Sequence, residues 1–174
     1  DLALGSRVPR FANFFTQTPH LDILTKYLMN TAPERPLPKL AEETFVQWFR
    51  RYRPPADADR PVVLYPDVFT NCFEPDILKA ATRVLGRWHF RVHIPPKAPP
   101  AALPLMHFGF LDLAGRHLRT VVEMLSPFAR EGIPILFVEP SVAAMFRDDL
   151  PKIWPQDQDV LRIDHLALHG PQAV

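Results

Sequence analysis

Apolar positions along this chain switch between helical and strand spacing, and clusters of proline separate the blocks. Within residues 42–51, Phe45, Trp48 and Phe49 recur at helical spacing, which predicts a short helix that packs on its own domain. A compact run rich in β-branched residues at 61–65 predicts a buried strand. Helical spacing over 74–88 and a second strand predicted over 90–94 then complete a β-α-β unit.

The remaining pattern continues this alternation of helices and strands. It predicts a long helix over 107–130 that contains Gly109 and Gly115, a third strand over 133–138 and a helix over 141–150. Such alternation indicates an α/β fold, with a mainly parallel sheet of three to four strands flanked by helices. Two short helices predicted within 8–29 belong to a helical, proline-punctuated connector over 1–55. Residues 56–174 form the α/β domain.

Composition narrows the classes of function. The formal net charge is only +1, so the chain lacks the basic field of nucleic-acid-binding proteins, and we expect no nucleic acid partner. A single cysteine, Cys72, excludes an internal disulfide and a thiolate set for structural zinc or a conventional iron-sulfur cluster. The apolar runs fall short of the roughly 20 residues that span a bilayer. We expect a cytoplasmic chain without a membrane span, and the ends of the sequence favour a piece of a longer polypeptide.

Candidate chemistry lies in the loops that follow the predicted strands, since ligands of open parallel sheets bind at the carboxyl ends of the strands. Five polar residues of these loops are candidates for ligand binding, namely Asp67, Asn71, His107, Glu139 and Ser141.

Each candidate also has a purely structural interpretation. Asp67 can cap the turn after its strand, His107 can begin the long helix, and Ser141 can cap the helix that it precedes. Glu139 can accept hydrogen bonds from loop amides. Together with Cys72 these residues offer zinc-ligand types, yet no tight spacing motif accompanies them, and Cys72 is typical of a buried apolar position.

The same loops resemble a known family. The residues Leu-Tyr-Pro-Asp-Val-Phe-Thr-Asn at 64–71, Pro-Leu-Met-His-Phe-Gly-Phe-Leu at 104–111 and Glu-Pro-Ser-Val-Ala-Ala-Met-Phe-Arg-Asp-Asp-Leu-Pro at 139–151 are similar to signature stretches of the cysteine-cysteine-glycine (CCG) domain. That domain occurs in fusions of FAD-linked D-lactate, glycolate or 2-hydroxyglutarate dehydrogenases with iron-sulfur segments. Related copies occur in the iron-sulfur subunit of anaerobic glycerol-3-phosphate dehydrogenase and in heterodisulfide reductase.

The departures from this family concern its cluster cysteines. The family's Cys-Cys-Gly maps onto 100–102, so that Pro100 and Ala101 replace cysteines, and its later cysteine maps onto Val142. A further cysteine of some relatives maps onto Val68. None of these side chains supplies a thiolate, which is the ligand that iron-sulfur clusters require.

The resemblance therefore implies a cluster-free module of an FAD-linked 2-hydroxy-acid oxidoreductase, with a structural or docking role beside an electron-transfer path. It implies no cofactor on this chain, FAD and iron-sulfur clusters in the parent protein, partners among the other domains or subunits of that protein, and no catalysis by the isolated chain. Two alternatives stay open. One is an enzyme that binds a small anion or a metal with its loops, and the other is an engineered cysteine-free apo domain.

Overall fold

Four parallel strands form the centre of the molecule, in the order β2-β1-β3-β4. They comprise β1 (Arg60–Tyr65), β2 (Phe90–His93), β3 (Ile135–Phe137) and β4 (Ala167–His169). The computed structural model describes residues 13–14, 16–18, 32, 34, 36–97 and 102–169. Most of the predicted helical segment 8–29, together with Pro100 and Ala101, lies outside these residues. The predicted α/β class with a parallel sheet is confirmed.

Helices occupy both faces of the sheet. They are α1 (Phe45–Phe49), α2 (Val68–Cys72), α3 (Pro75–Arg87), α4 (Leu103–His107), α5 (Leu111–Arg130), α6 (Pro140–Ala144), a π-helix (Met145–Asp149), α7 (Leu150–Ile153) and α8 (Gln158–Leu166). Across the described part of the chain, none of these helices is long and apolar enough to cross a membrane.

Alternate residues of the strands build two separate cores, because successive side chains of a strand point to opposite faces of a sheet. One core joins α5, α6, the π-helix and α8 to the first face, through Val63, Tyr65, Ile135 and Phe137. The other joins α1 and α3 to the second face, through Val62, Leu64, Val92 and Leu136. Burial on both sides explains why the inner strands β1 and β3 contain continuous apolar runs, whereas in the edge strand β2 Arg91 and His93 alternate with apolar residues.

Helix α1 packs on its own domain, as its aromatic spacing predicts. Phe45 is fully buried, and Trp48 and Phe49 pack against the second core. The helix begins at a capping box in which the Thr44 hydroxyl accepts from the Gln47 amide, while the Gln47 side chain accepts from the Thr44 amide. The predicted boundaries of 42–51 were too wide at both ends, since the helix spans only Phe45–Phe49.

The predicted single helix over 107–130 is wrong at its start, because two helices meet there. The break falls at Gly109, whose φ of 78° lies in the left-handed region that glycine adopts without strain. The amides of Gly109 and Phe110 donate to carbonyls of the last turn of α4, which is a helix-ending pattern. Gly109 therefore lies between helices, whereas Gly115 lies inside α5 as predicted.

Two ion pairs join α8 to α5. Arg119 donates to Asp157, and Arg130 donates to Asp159, which also accepts from Arg162 at 3.2 Å. The hydrogen bonds from Arg119 and Arg130 lower the pKa of the two carboxyls, although partial burial acts in the opposite direction. Asp157 in addition caps α8 through the amides of Asp159 and Val160.

These pairs predict a loss of stability in acid. A carboxyl whose pKa is lowered by folding stabilises the folded state above its unfolded pKa, near 4, and loses this contribution as the pH falls through the folded value. We expect the double variant Asp157→Asn/Asp159→Asn, which keeps the capping oxygen, to unfold at lower urea than the native chain at pH 6. That difference should shrink below about pH 4. A difference that stays constant from pH 6 to pH 3 would contradict the assignment.

Candidate functional site

A pocket of about 410 Å³ opens at the carboxyl ends of β1 and β3, which is the sheet edge where ligands of parallel sheets bind. Most of its lining is apolar. The wall includes Val68, Phe69, Phe73, Leu103, Val142 and Met145. Polar groups enter it from Tyr65, Asp67, Glu139 and Ser141.

Asp67 lines this pocket and begins α2. Its carboxylate accepts from the amides of Phe69 at 2.8 Å and Thr70 at 3.1 Å, and from the Thr70 hydroxyl. The residue is 7% exposed. The segment after β1, which we expected to be a loop, is a short helix, and this carboxylate satisfies its first free amides. The predicted capping role of Asp67 is confirmed.

Glu139 follows β3 and begins α6 in the same manner. One oxygen of its carboxylate, Oε2, accepts from the Val142 amide at 2.8 Å and from the Ser141 hydroxyl. Burial alone would raise the pKa of Glu139, but these hydrogen bonds, the Ser141 amide and nearby His169 together lower it. The prediction that Ser141 caps this helix is wrong, since Glu139 reaches the free amide and Ser141 donates to Glu139.

Asn71 and His107 do not line the pocket, unlike Asp67, Glu139 and Ser141. The buried Asn71 side chain accepts from the Val46 amide at 3.0 Å and thereby ties α1 to α2. His107 is exposed at the last position of α4. The structure therefore brings three of the five predicted residues together. Their binding role remains a prediction.

Tyr65 is a pocket residue that the sequence reasoning missed. It ends β1, is 5% exposed, and packs its ring against Phe137 and Phe146 at centroid distances of 5.0 and 5.6 Å. Its hydroxyl has no hydrogen-bond partner among the residues that the structure describes. Burial and the charge of Asp67 both raise the pKa of Tyr65, which further disfavours ionisation of the phenol. The sequence feature that could have identified Tyr65 is a polar aromatic residue at the end of an apolar strand.

Cys72 is buried, as expected of a small apolar position. Its thiol accepts a hydrogen bond from the Asn71 side-chain amide at 3.6 Å. Burial raises the pKa of Cys72, the Asn71 contact lowers it, and the charge of Asp67 raises it again. The net increase disfavours the reactive thiolate.

Cys72 should consequently react slowly in the folded chain. We expect its modification by a disulfide reagent at pH 8 to be at least about tenfold slower than in denaturing urea, where the thiol is exposed. Spectrophotometric release of the reagent's thiol measures both rates. Equal rates in the two conditions would show that the thiol is accessible.

The positions of the family's cluster cysteines meet at the same pocket, so far as the structure describes them. Val68 and Val142, which the resemblance aligns with cysteines, both line it, as does Ala102 at the glycine of the Cys-Cys-Gly stretch, and Ala102 and Val142 are 5% and 8% exposed. Throughout the described ranges there is no group of three or more His, Cys, Asp or Glu side chains that could hold a metal ion. Aliphatic side chains thus surround the space that the resemblance assigns to a cluster.

Comparisons with known proteins found two kinds of relative. Over 136 residues, or 77% of this chain, the sequence is 29% identical to the C subunit of anaerobic glycerol-3-phosphate dehydrogenase of Escherichia coli K12, and it spans 34% of that protein. Over 99 residues, or 57% of this chain, it is 28% identical to D-2-hydroxyglutarate dehydrogenase of Pseudomonas putida KT2440, of which the match covers 10%. No family model and no solved structure matches. This distant similarity is consistent with a CCG-type domain, and the chain spans about a third of the length of the first relative.

Proposed function

We propose that this chain is a cluster-free CCG-like module of an FAD-linked 2-hydroxy-acid oxidoreductase, with residues 1–55 as its connector. Its role is structural or docking, beside an electron-transfer path carried by other domains or subunits, and it performs no catalysis by itself. One observation carries the proposal. Val68, Ala102 and Val142, which stand where the family has cluster-loop residues, lie on the wall of one pocket at the ligand-binding edge of the sheet.

The chemistry of this wall argues against a resident cluster. Iron-sulfur clusters are held by thiolates, and valine and alanine offer no ligand atom. Cys72 does not replace them, because its buried side chain is absent from the pocket lining and its raised pKa keeps it protonated. FAD and iron-sulfur clusters therefore belong, in this proposal, to other parts of the parent protein.

The scaffold does not need a cluster to hold its loops. Asp67 and Glu139 each cap the helix that follows their strand, so both pocket loops are fixed by hydrogen bonds within the chain. A fold with intact loops and no ligand set is what a structural module requires.

A docking role is supported by large apolar side chains that are exposed after α4 and in α2. Phe108, Phe110 and Leu111 are 78%, 61% and 65% exposed around the turn at Gly109, and Phe69 at the pocket rim is 50% exposed. Several large apolar residues exposed together are typical of a surface that another domain covers.

Anaerobic reconstitution tests the absence of a cluster. After incubation with iron and sulfide, we expect the native chain to show no charge-transfer absorption in the visible range and no stoichiometric iron. The variant Pro100→Cys/Ala101→Cys/Val142→Cys, which restores the family's cysteines, serves as the matched comparison and should take up iron. A stable visible spectrum with stoichiometric iron on the native chain would overturn the proposal.

A second candidate is a small-molecule enzyme at the same pocket, because Asp67, Glu139 and Ser141 converge there. The lining offers no cationic side chain to an anion within the described residues, and its carboxylates are engaged in capping. The pocket supports binding better than it supports a reaction.

A further inference from the structure

We propose that the pocket at the carboxyl edge binds a small organic amine in its protonated form, with an apolar body and one ammonium group. This inference concerns a ligand of the chain itself and goes beyond the role in an oxidoreductase. It rests on the lining, the charges and one unpartnered hydroxyl of the pocket.

The apolar body would be held by the aliphatic and aromatic wall. Phe69 and Phe73 stack with ring centroids 5.4 Å apart, and both line the pocket together with Leu103 and Met145. A pocket of this size and lining removes most of a small ligand's apolar surface from water, which is the main source of affinity for such ligands. Aromatic rings also attract a cation through their negative faces.

The charged side chains of the pocket favour a ligand that carries a positive charge. Asp67 and Glu139 are its charged side chains, and no lysine, arginine or histidine lines it in the part of the chain that the structure describes. The Val142 amide and the Ser141 hydroxyl both donate to Oε2 of Glu139, so Oε1 can accept a further hydrogen bond. An anion would meet two like charges, whereas an ammonium would meet opposite ones.

The Tyr65 hydroxyl gives a second, independent indication of a ligand. Tyr65 is more than nine-tenths buried, with 5% exposed, it lines the pocket, and its hydroxyl has no partner within the described residues. Because the described residues leave no fully buried side-chain oxygen or nitrogen without a partner, this hydroxyl opens to the pocket, where a ligand N–H can donate to its oxygen. The phenol is neutral and retains its oxygen as an acceptor.

A matched series of three probes tests the charge preference directly. 2-Phenylethylamine, 2-phenylethanol and phenylacetate share one apolar body and differ in charge, and each is titrated into the isotope-labelled chain by NMR. We expect the amine to shift amides of residues 67–69 and 141–142 saturably, with an affinity at least about tenfold above that of phenylacetate. The alcohol should lie between them.

Two variants connect the binding to named groups, and a third serves as the control. Tyr65→Phe should weaken the amine about fivefold and leave phenylacetate unchanged. Glu139→Gln, which keeps the capping oxygen, should reduce the preference for the amine over the alcohol. Glu131→Gln, an exposed carboxylate at the end of α5 on the opposite edge of the sheet, is the matched control and should change nothing.

Phenylacetate binding as tightly as the amine, amide shifts outside the pocket, or no saturable shift with the amine would each overturn the proposal. A cluster on the reconstituted native chain would overturn the proposed function alone, because the amine titration uses untreated chain. The two failures are therefore distinguishable.

Discussion

Replacing Phe146 by alanine is expected to lower the free energy of unfolding by about 3–5 kcal/mol, which is the usual cost of removing a fully buried phenylalanine. Phe146 lies in the π-helix with 0% exposure. Its ring stacks on Phe137 at 4.7 Å and meets the edge of Tyr65 at 5.6 Å. The cavity left by this ring would lie directly behind the pocket, and neighbouring backbone of the sheet cannot collapse to fill it.

Urea unfolding followed by circular dichroism measures this loss. The matched control is Phe108→Ala, because Phe108 is 78% exposed in the turn after α4, and its removal should change the free energy of unfolding by less than about 0.5 kcal/mol. Similar losses for the two variants would mean that the first core is not packed around Phe146.

Replacing Asp67 by alanine is expected to cost about 2–4 kcal/mol, although no apolar contact is removed. Its carboxylate satisfies two amides at the start of α2 and the hydroxyl of Thr70, which is 5% exposed. Loss of a cap costs about 0.5–2 kcal/mol, and leaving a buried hydroxyl without its acceptor adds about 1–3 kcal/mol.

The variant Asp67→Asn separates hydrogen bonding from charge. Asparagine keeps an oxygen for the amides of Phe69 and Thr70, so its loss of stability should be less than half that of the alanine variant when both are unfolded in urea at pH 7. Equal losses would indicate that the negative charge at the start of α2, rather than the capping geometry, stabilises this loop.

Most strands could be predicted from the sequence, because the burial of a strand requires a recognisable pattern of apolar residues within it. The apolar run at 61–65 and the alternating apolar and polar residues at 90–94 match β1 and β2 to within a residue, and the amphipathic run at 74–88 matches α3. The third strand is shorter than its apolar run at 133–138, since only Ile135–Phe137 pairs with neighbours. The sequence did not predict β4, because a strand of three residues is too short to show a periodic pattern of apolar positions.

Residues of the candidate site could be predicted only where they closely follow a strand in the sequence. Asp67, Glu139 and Ser141 closely follow buried strands, so topology alone brings them to one edge. Asn71 lies only four residues beyond Asp67, but it faces α1, a contact decided by how the helix after the strand turns. Tyr65 was overlooked because a buried strand residue is ordinarily attributed to packing, and an unpartnered hydroxyl is visible only in three dimensions.

The strand order has a consequence for how the chain acquires its structure. The central strand β1 pairs with β2, which follows it closely, but also with β3, where Val63 lies beside Ile135. Such pairing of distant segments is slow, because the chain loses the entropy of closing a long loop before any contact compensates for that loss. During synthesis, one edge of β1 therefore stays unpaired until β3 leaves the ribosome. In that interval its apolar residues can form non-native contacts. Ribosome-bound chains from which β3 has not yet emerged are the species in which aggregation or chaperone binding should concentrate.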